Sequence, residues 1–196
     1  ARDSAIAVFS TDVDGDGVVD FLLASGYHDM VTWYDGNSNY DEGVVAMNAD
    51  AAAFVYAIDM DQDGDNDVLY ASTNDDTVAW CENTDGAGTF DVHVISTRCD
   101  GCYTSVGADV SGDGEIDVVT ASYLDDSVEW YENDGEENFA GHVVSTTLNG
   151  AVSAYPVDLD GDEDLDIVTD VYYYDSVVWL KNNGELPVPS FSEHVI

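Results

Sequence analysis

The sequence predicts an all-β fold of four tandem four-stranded β-blades, and three observations carry that prediction. Trp33, Trp80, Trp130 and Trp179 fall 47, 50 and 49 residues apart, a period in the range of propeller blades and related arrays. An aspartate-rich loop opens 21 residues before each of them, at Asp12, Asp59, Asp109 and Asp158. The segments between are short and β-branched, such as Asp117-Val-Val-Thr-Ala-Ser122, and none has the periodicity of a helix.

The repeats run over about 1–48, 49–97, 98–147 and 148–196, forming one array. Each begins with an apolar stretch (Ala5 to Thr11, Phe54 to Ile58, Ser105 to Ala108, Ala151 to Val157) that leads into the aspartate loop. A β-branched strand, an aspartate-bearing turn, a Val-x-Trp strand, an Asn/Asp/Gly turn and a short last strand such as His93-Val-Ile95 follow. Asp29, Asp76, Asp126 and Asp175, each four residues before a Trp, read as Asx-type turns that hold the central hairpin. The tryptophans read as packing anchors, because their sameness from copy to copy belongs to architecture. His93, His142 and His194 recur before Val at one repeat position and read as strand residues with no catalytic part.

The chain carries 42 Asp and Glu against three basic residues, Arg2, Arg98 and Lys181, for a formal net charge of -39. Phosphate backbones and anionic lipid surfaces would repel it, which excludes nucleic acid as a partner class and favours multivalent cations. No apolar run is long enough to cross a bilayer, so membrane insertion is not expected. Hydrophobic residues nonetheless make up 45% of the chain, enough for a real core. Cys99-Asp100-Gly101-Cys102 has the spacing of a redox site, a zinc site or a tight disulfide. A local Cys99–Cys102 disulfide is the expected reading, since further zinc ligands and a βαβ context are both missing.

The four loops read Asp12-Val-Asp14-Gly-Asp16-Gly-Val18-Val-Asp20, Asp59-Met-Asp61-Gln-Asp63-Gly-Asp65-Asn-Asp67, Asp109-Val-Ser111-Gly-Asp113-Gly-Glu115-Ile-Asp117 and Asp158-Leu-Asp160-Gly-Asp162-Glu-Asp164-Leu-Asp166. Alternate residues of a tightly turning loop can aim oxygens at one point, and calcium wants six to eight of them. Positions 1, 3, 5 and 9 are the expected side-chain ligands, and position 7 (Val18, Asp65, Glu115, Asp164) the expected carbonyl ligand. Up to four Ca2+ ions follow, one per repeat. Magnesium prefers a smaller octahedral shell and fits less well. An EF-hand would need a Glu at position 12 on a helix, where this chain has Leu23, Tyr70, Thr120 and Thr169 in strand-like stretches. The loops are unequal: Ser111 supplies a hydroxyl in place of a carboxylate, and Glu163 stands where the other three have glycine. Four calcium ions would cancel only 8 of the 39 net negative charges.

These loops, with the D-[VIF]-[LV]-x-A-S and V-x-W-[YC]-E-N elements clearest at Asp117 to Ser122 and Val128 to Asn133, resemble the FG-GAP/VCBS repeat family over essentially the whole chain. The resemblance implies four-stranded propeller-type blades with calcium in the loop between the first two strands, as in the integrin α-subunit head. It also implies an extracellular or cell-surface protein working in adhesion, matrix or carbohydrate contact. The Phe-Gly and Gly-Ala-Pro signatures are absent, which favours the VCBS-like branch. Closed propellers of the family usually have seven blades, so four copies fit either part of a propeller or an open head-to-tail array.

No G-x-S-x-G, H-E-x-x-H or phosphate-binding glycine loop occurs, and paired acids such as Asp75-Asp76 and Asp125-Asp126 are turn neighbours that do not define a glycosidase dyad; an enzyme is not expected. Repeat phase is kept to His194-Val-Ile196, so the chain reads as a slice of a longer array or as a unit continued by copies of itself. The leading expectation is a calcium-stabilised extracellular structural or adhesive repeat, a building block of a surface filament or matrix. The alternative is a propeller that binds a glycan or an extracellular protein on its loop face.

Overall fold

The computed structural model describes residues 5–185 and 188–196. Among these are four antiparallel sheets of four strands, each in sequential order. The first blade holds β1 (Ala5–Thr11), β2 (Asp20–Ser25), β3 (Met30–Asp35) and β4 (Asp41–Met47); the second holds β5 (Ala52–Ile58), β6 (Asp67–Ser72), β7 (Thr77–Asn83) and β8 (Phe90–Ser96). The third holds β9 (Cys102–Ala108), β10 (Asp117–Ser122), β11 (Ser127–Asn133) and β12 (Phe139–Ser145); the fourth holds β13 (Ala151–Val157), β14 (Asp166–Val171), β15 (Ser176–Asn182) and β16 (Phe191–Val195). The only helical element among the described residues is one 3-10 turn at Tyr172–Tyr174.

The meander order places the aspartate loop and the turn after the third strand at one end of each blade. The turn between strands two and three lies at the other end with the linker to the next blade. Position 9 of each loop is the first residue of the second strand, so that strand's register fixes where its carboxylate stands. In blades 1 to 3 the third and fourth strands share a register shift beside the residue two before Trp, a β-bulge repeated with the sequence.

The chain divides into two compact units, Ala1–Arg98 and Cys99–Ile196, each holding two blades. A blade cannot bury its face alone, and within each unit the first strand of the second blade packs on the inner strands of the first: β5 on β1 and β2, β13 on β9 and β10. The first unit's core joins Leu22, Ala24, Val31 and Trp33 to Ala52, Val55, Val68 and Ala79. The second joins Val119, Ala121, Val128 and Trp130 to Ala151, Ala154, Ile167 and Val178. Small residues at Ala24 and Ala121, fully buried, let the sheets approach closely.

Three of the four tryptophans pack inside, and Trp179 is half-buried. Trp80 and Trp130 are almost wholly buried and Trp33 nearly so. In blades 2 to 4 a histidine on the outer strand covers the indole face, with ring centroids 4.7 Å apart for Trp80–His93, 4.6 Å for Trp130–His142 and 5.1 Å for Trp179–His194. Nε2 of His93 and of His142 then meets Glu82 at 3.0 Å and Glu132 at 2.8 Å. In the first blade the partner of Trp33 is Gly43, where any β-carbon would overlap the indole.

The aspartates before each Trp are left-handed, with φ of 55° at Asp29 and 60° at Asp126. Their carboxylates do more than close a local Asx turn: Oδ1 of Asp29 accepts the Ala51 N–H at 3.0 Å and Oδ1 of Asp126 accepts the Gly150 N–H at 2.8 Å. The linker to the next blade thus lies within reach of the turn, a proximity that local sequence does not encode.

Trp130→Ala removes a buried indole from the second unit's core and its stack on His142. It is expected to cost about 3–5 kcal/mol of stability in urea unfolding.

Candidate metal centres

The position 9 aspartate organises each loop. Asp20, Asp67, Asp117 and Asp166 are buried. One oxygen of each accepts the N–H of position 2, from Val13 at 2.8 Å, Met60 at 2.9 Å, Val110 at 3.0 Å and Leu159 at 3.2 Å. The other accepts an N–H at the end of the third strand, from Gly36 at 2.8 Å, Asn83 at 2.8 Å, Asn133 at 2.9 Å and Asn182 at 2.8 Å. Each carboxylate therefore ties the loop's opening to the turn beside it.

The rest of the loop winds around position 1, whose Oδ2 accepts the N–H five residues on: Gly17 at 2.8 Å, Gly64 at 3.0 Å, Gly114 at 3.0 Å and Glu163 at 3.3 Å. The position 5 carboxylate accepts the position 7 N–H in all four loops: Val18 to Asp16, Asp65 to Asp63, Glu115 to Asp113 and Asp164 to Asp162. Position 6 is left-handed throughout, at φ of 85°, 102° and 99° for the three glycines and 74° for Glu163, which bears a strain of about 1 kcal/mol. Position 4 is left-handed as well, at Gly15, Gln62, Gly112 and Gly161.

Carboxylate oxygens of positions 1, 3 and 9 lie within 4.8 Å of one another in three loops, as Asp12/Asp14/Asp20, Asp59/Asp61/Asp67 and Asp158/Asp160/Asp166. Asp14, Asp16 and Asp35 form a further group in the first blade. The third loop forms no such triad because Ser111 holds position 3. Asp63, Asp113 and Asp162 at position 5 stay outside the tight triads, and the side chains of Asp65, Glu115 and Asp164 at position 7 turn toward Gly86, Gly135 and Gly184.

The fit of a hard cation rests on buried oxygens that no protein donor reaches. Oδ1 of Asp12, Oδ1 of Asp59 and Oγ of Ser111 are buried without a hydrogen-bond partner. Such atoms are costly unless something else satisfies them. All three are ligand positions, and the donor set is entirely oxygen, as calcium prefers. In the other two cases backbone already serves the position 1 oxygen: Gly112 N–H at 2.7 Å on Asp109 and Gly161 N–H at 2.8 Å on Asp158. Burial pushes Asp67 and Asp117 up to about 6, against the lowering effect of their backbone donors. Asp14 and Asp61 are raised too, first by desolvation and then by the acids around them.

Four residues act on a loop from outside it. Asp35 completes the first blade's second group, and the signal for it is an acid two residues after Trp, repeated at Glu82 and Glu132. At that position the fourth blade has Lys181, whose Nζ bonds Asp160 and, at 3.1 Å, Asp162. Asn66 and Asn83 of the second blade clamp the first loop from outside: Nδ2 of Asn66 donates to the Asp12 carbonyl at 2.9 Å and Nδ2 of Asn83 to the Val13 carbonyl at 2.8 Å. Cys99 and Cys102 form the expected disulfide, while Cys81 is a buried thiol in the first unit's core.

A raised aspartate pKa means that the folded chain holds more protons than the unfolded one between about pH 4 and pH 6. The metal-free chain is therefore expected to gain stability as pH falls through that window, and the penalty of burying charged Asp67 and Asp117 to return in full above pH 6. A cation must displace those protons, so a metal-loaded chain is expected to show the opposite slope. Thermal melts at pH 7 and pH 5, with chelator and with calcium, check both signs.

The FG-GAP-like repeat family matches over residues 12–70, 59–120 and 109–169, each match starting at a loop's first aspartate. No curated protein matches the chain significantly. Among solved structures, the chain is similar to a lectin from Agrocybe aegerita described for specific recognition of non-reducing terminal N-acetylglucosamine. The TM-score is 0.62 at 20% identity, over 99% of this chain and 53% of the lectin, so the chain spans about half the lectin's length. The shared fold and the repeated loop, strand and tryptophan pattern agree with the family match: the chain belongs to the FG-GAP-like repeat family.

Proposed function

We propose that the chain is a calcium-stabilised repeat module of an extracellular or cell-surface protein, structural or adhesive in role and not an enzyme, and suited to building a filament or matrix. The observation that carries the calcium reading is the set of buried, unpartnered oxygens at Asp12, Asp59 and Ser111, all at ligand positions of the repeated loop. Calcium would supply the missing partner and offset the repulsion among carboxylates gathered within 4.8 Å. Positions 1, 3 and 9 converge to hold it, with position 5 beside them. The position 9 carboxylate already bridges the loop and the turn after the third strand, so an ion there would lock that end of the blade. The role is that of a clip, and an acidic surface of net charge -39 keeps such a module soluble and apart from anionic partners.

A second reading, glycan binding, is supported by the lectin's fold and by one feature of the surface. Exposed Tyr172 and Tyr173 form an aromatic group with half-buried Tyr123 at the turns opposite the loops, with a 2.6 Å contact between the Tyr123 and Tyr173 hydroxyls. Aromatic faces with polar tips suit the alternating C–H and O–H faces of a sugar. Saturable binding of a glycan ending in N-acetylglucosamine, lost in Tyr172→Ala, is the expected result under this reading; no saturable binding to any glycan would remove it.

Unfolding with and without chelator tests the leading reading. Calcium at a thousand times its dissociation constant is expected to add about 4 kcal/mol per filled site. Asp12→Asn and Asp59→Asn should each remove part of that gain. A melting curve unchanged by complete calcium removal would overturn it.

A further inference from the structure

The fourth loop differs from its siblings in one residue outside the loop. The position two after Trp is acidic in the first three blades, at Asp35, Glu82 and Glu132, and is Lys181, the chain's only lysine, in the fourth. Its stem runs beside Trp179, with Nζ 5.6 Å from the ring centroid, and its ammonium reaches the carboxylates of Asp160 and Asp162, the position 3 and position 5 acids. Two further features describe this loop's acids. Oδ1 of Asp158 is served by the Gly161 N–H, as Oδ1 of Asp109 is by the Gly112 N–H, whereas Oδ1 of Asp12 and of Asp59 has no partner. Glu163 takes the strained left-handed position that glycine fills elsewhere, so this loop carries six carboxylates, the most of the four, and has the greatest need of an internal cation.

We propose that Lys181 is a tethered cation for the fourth loop, holding Asp160 and Asp162 in place of calcium and making this blade metal-independent. This rests on the calcium reading of the other loops. A divalent ion entering beside a fixed ammonium meets repulsion that no other loop imposes, and the first loop, with Asp35 at the same place, replaces it by attraction. The fourth loop's calcium affinity is accordingly held down by about a hundredfold or more. Within one chain, some blades then respond to the calcium level and one does not.

The test is calcium titration calorimetry on the whole chain, comparing wild type, Lys181→Glu and Lys181→Glu/Asp160→Asn. Lys181→Glu is expected to bind one ion more than wild type, and the double variant to lose that ion. Equal numbers in wild type and Lys181→Glu would overturn the proposal. A wild type that binds no calcium overturns the reading of the other loops instead. In that background a gained ion in Lys181→Glu still upholds the lysine's part, and none removes it. Hydrogen exchange of the wild type gives a readout that needs no variant. Chelation should leave amide protection in β13 to β16 unchanged while lowering it in β1, β2, β5 and β6, and a loss in β13 to β16 equal to theirs counts against the proposal.

Discussion

The fold of every blade depends on one buried carboxylate. Asp20, Asp67, Asp117 and Asp166 each accept one N–H from the start of the loop and one from the end of the third strand, and each begins the second strand. Placing a charge there is expensive, as the upward push on Asp67 and Asp117 records. Backbone donors offset only part of that cost, and the same loop gathers further oxygens around one point, in groups that could hold a metal ion. Loop geometry, strand register and ion chemistry are three aspects of a single constraint.

Repetition of this unit does not give four equal sites. Unpartnered oxygens single out the first two loops and the Ser111 hydroxyl of the third, while backbone serves the position 1 oxygen in the third and fourth loops and a lysine reaches the acids of the fourth alone. The differences arise from residues the loop motif does not contain. Asn66 and Asn83 hold the first loop from the neighbouring blade, and Asp35 and Lys181 act on their loops from two positions beyond Trp.

Much of this was legible in the sequence because it is periodic. The strand order, the loop positions and the local disulfide follow from spacing, and the first and thirteenth strands begin and end where the apolar stretches Ala5 to Thr11 and Ala151 to Val157 do. What spacing could not reveal is contact across turns and between blades. Asp29 and Asp126 read as local turn residues, yet their acceptors serve a linker 22 and 24 residues away. Gln62 takes a left-handed position that glycine fills in the other three loops, and its backbone angle, which the sequence does not give, shows that the loop keeps its shape there. Lys181 looked like one of three scattered cations until the fold placed it against Asp160 and Asp162.

The reach of Asp29 and Asp126 also bears on how such chains lengthen. Each of these turns presents, on its own blade, the acceptor for the backbone that opens the next one. A copied pair of blades inserted in phase carries its own hook between its two members. Such a pair is a self-contained unit, and its members can still differ residue by residue, as Lys181 in place of an acid in the last of these four blades shows.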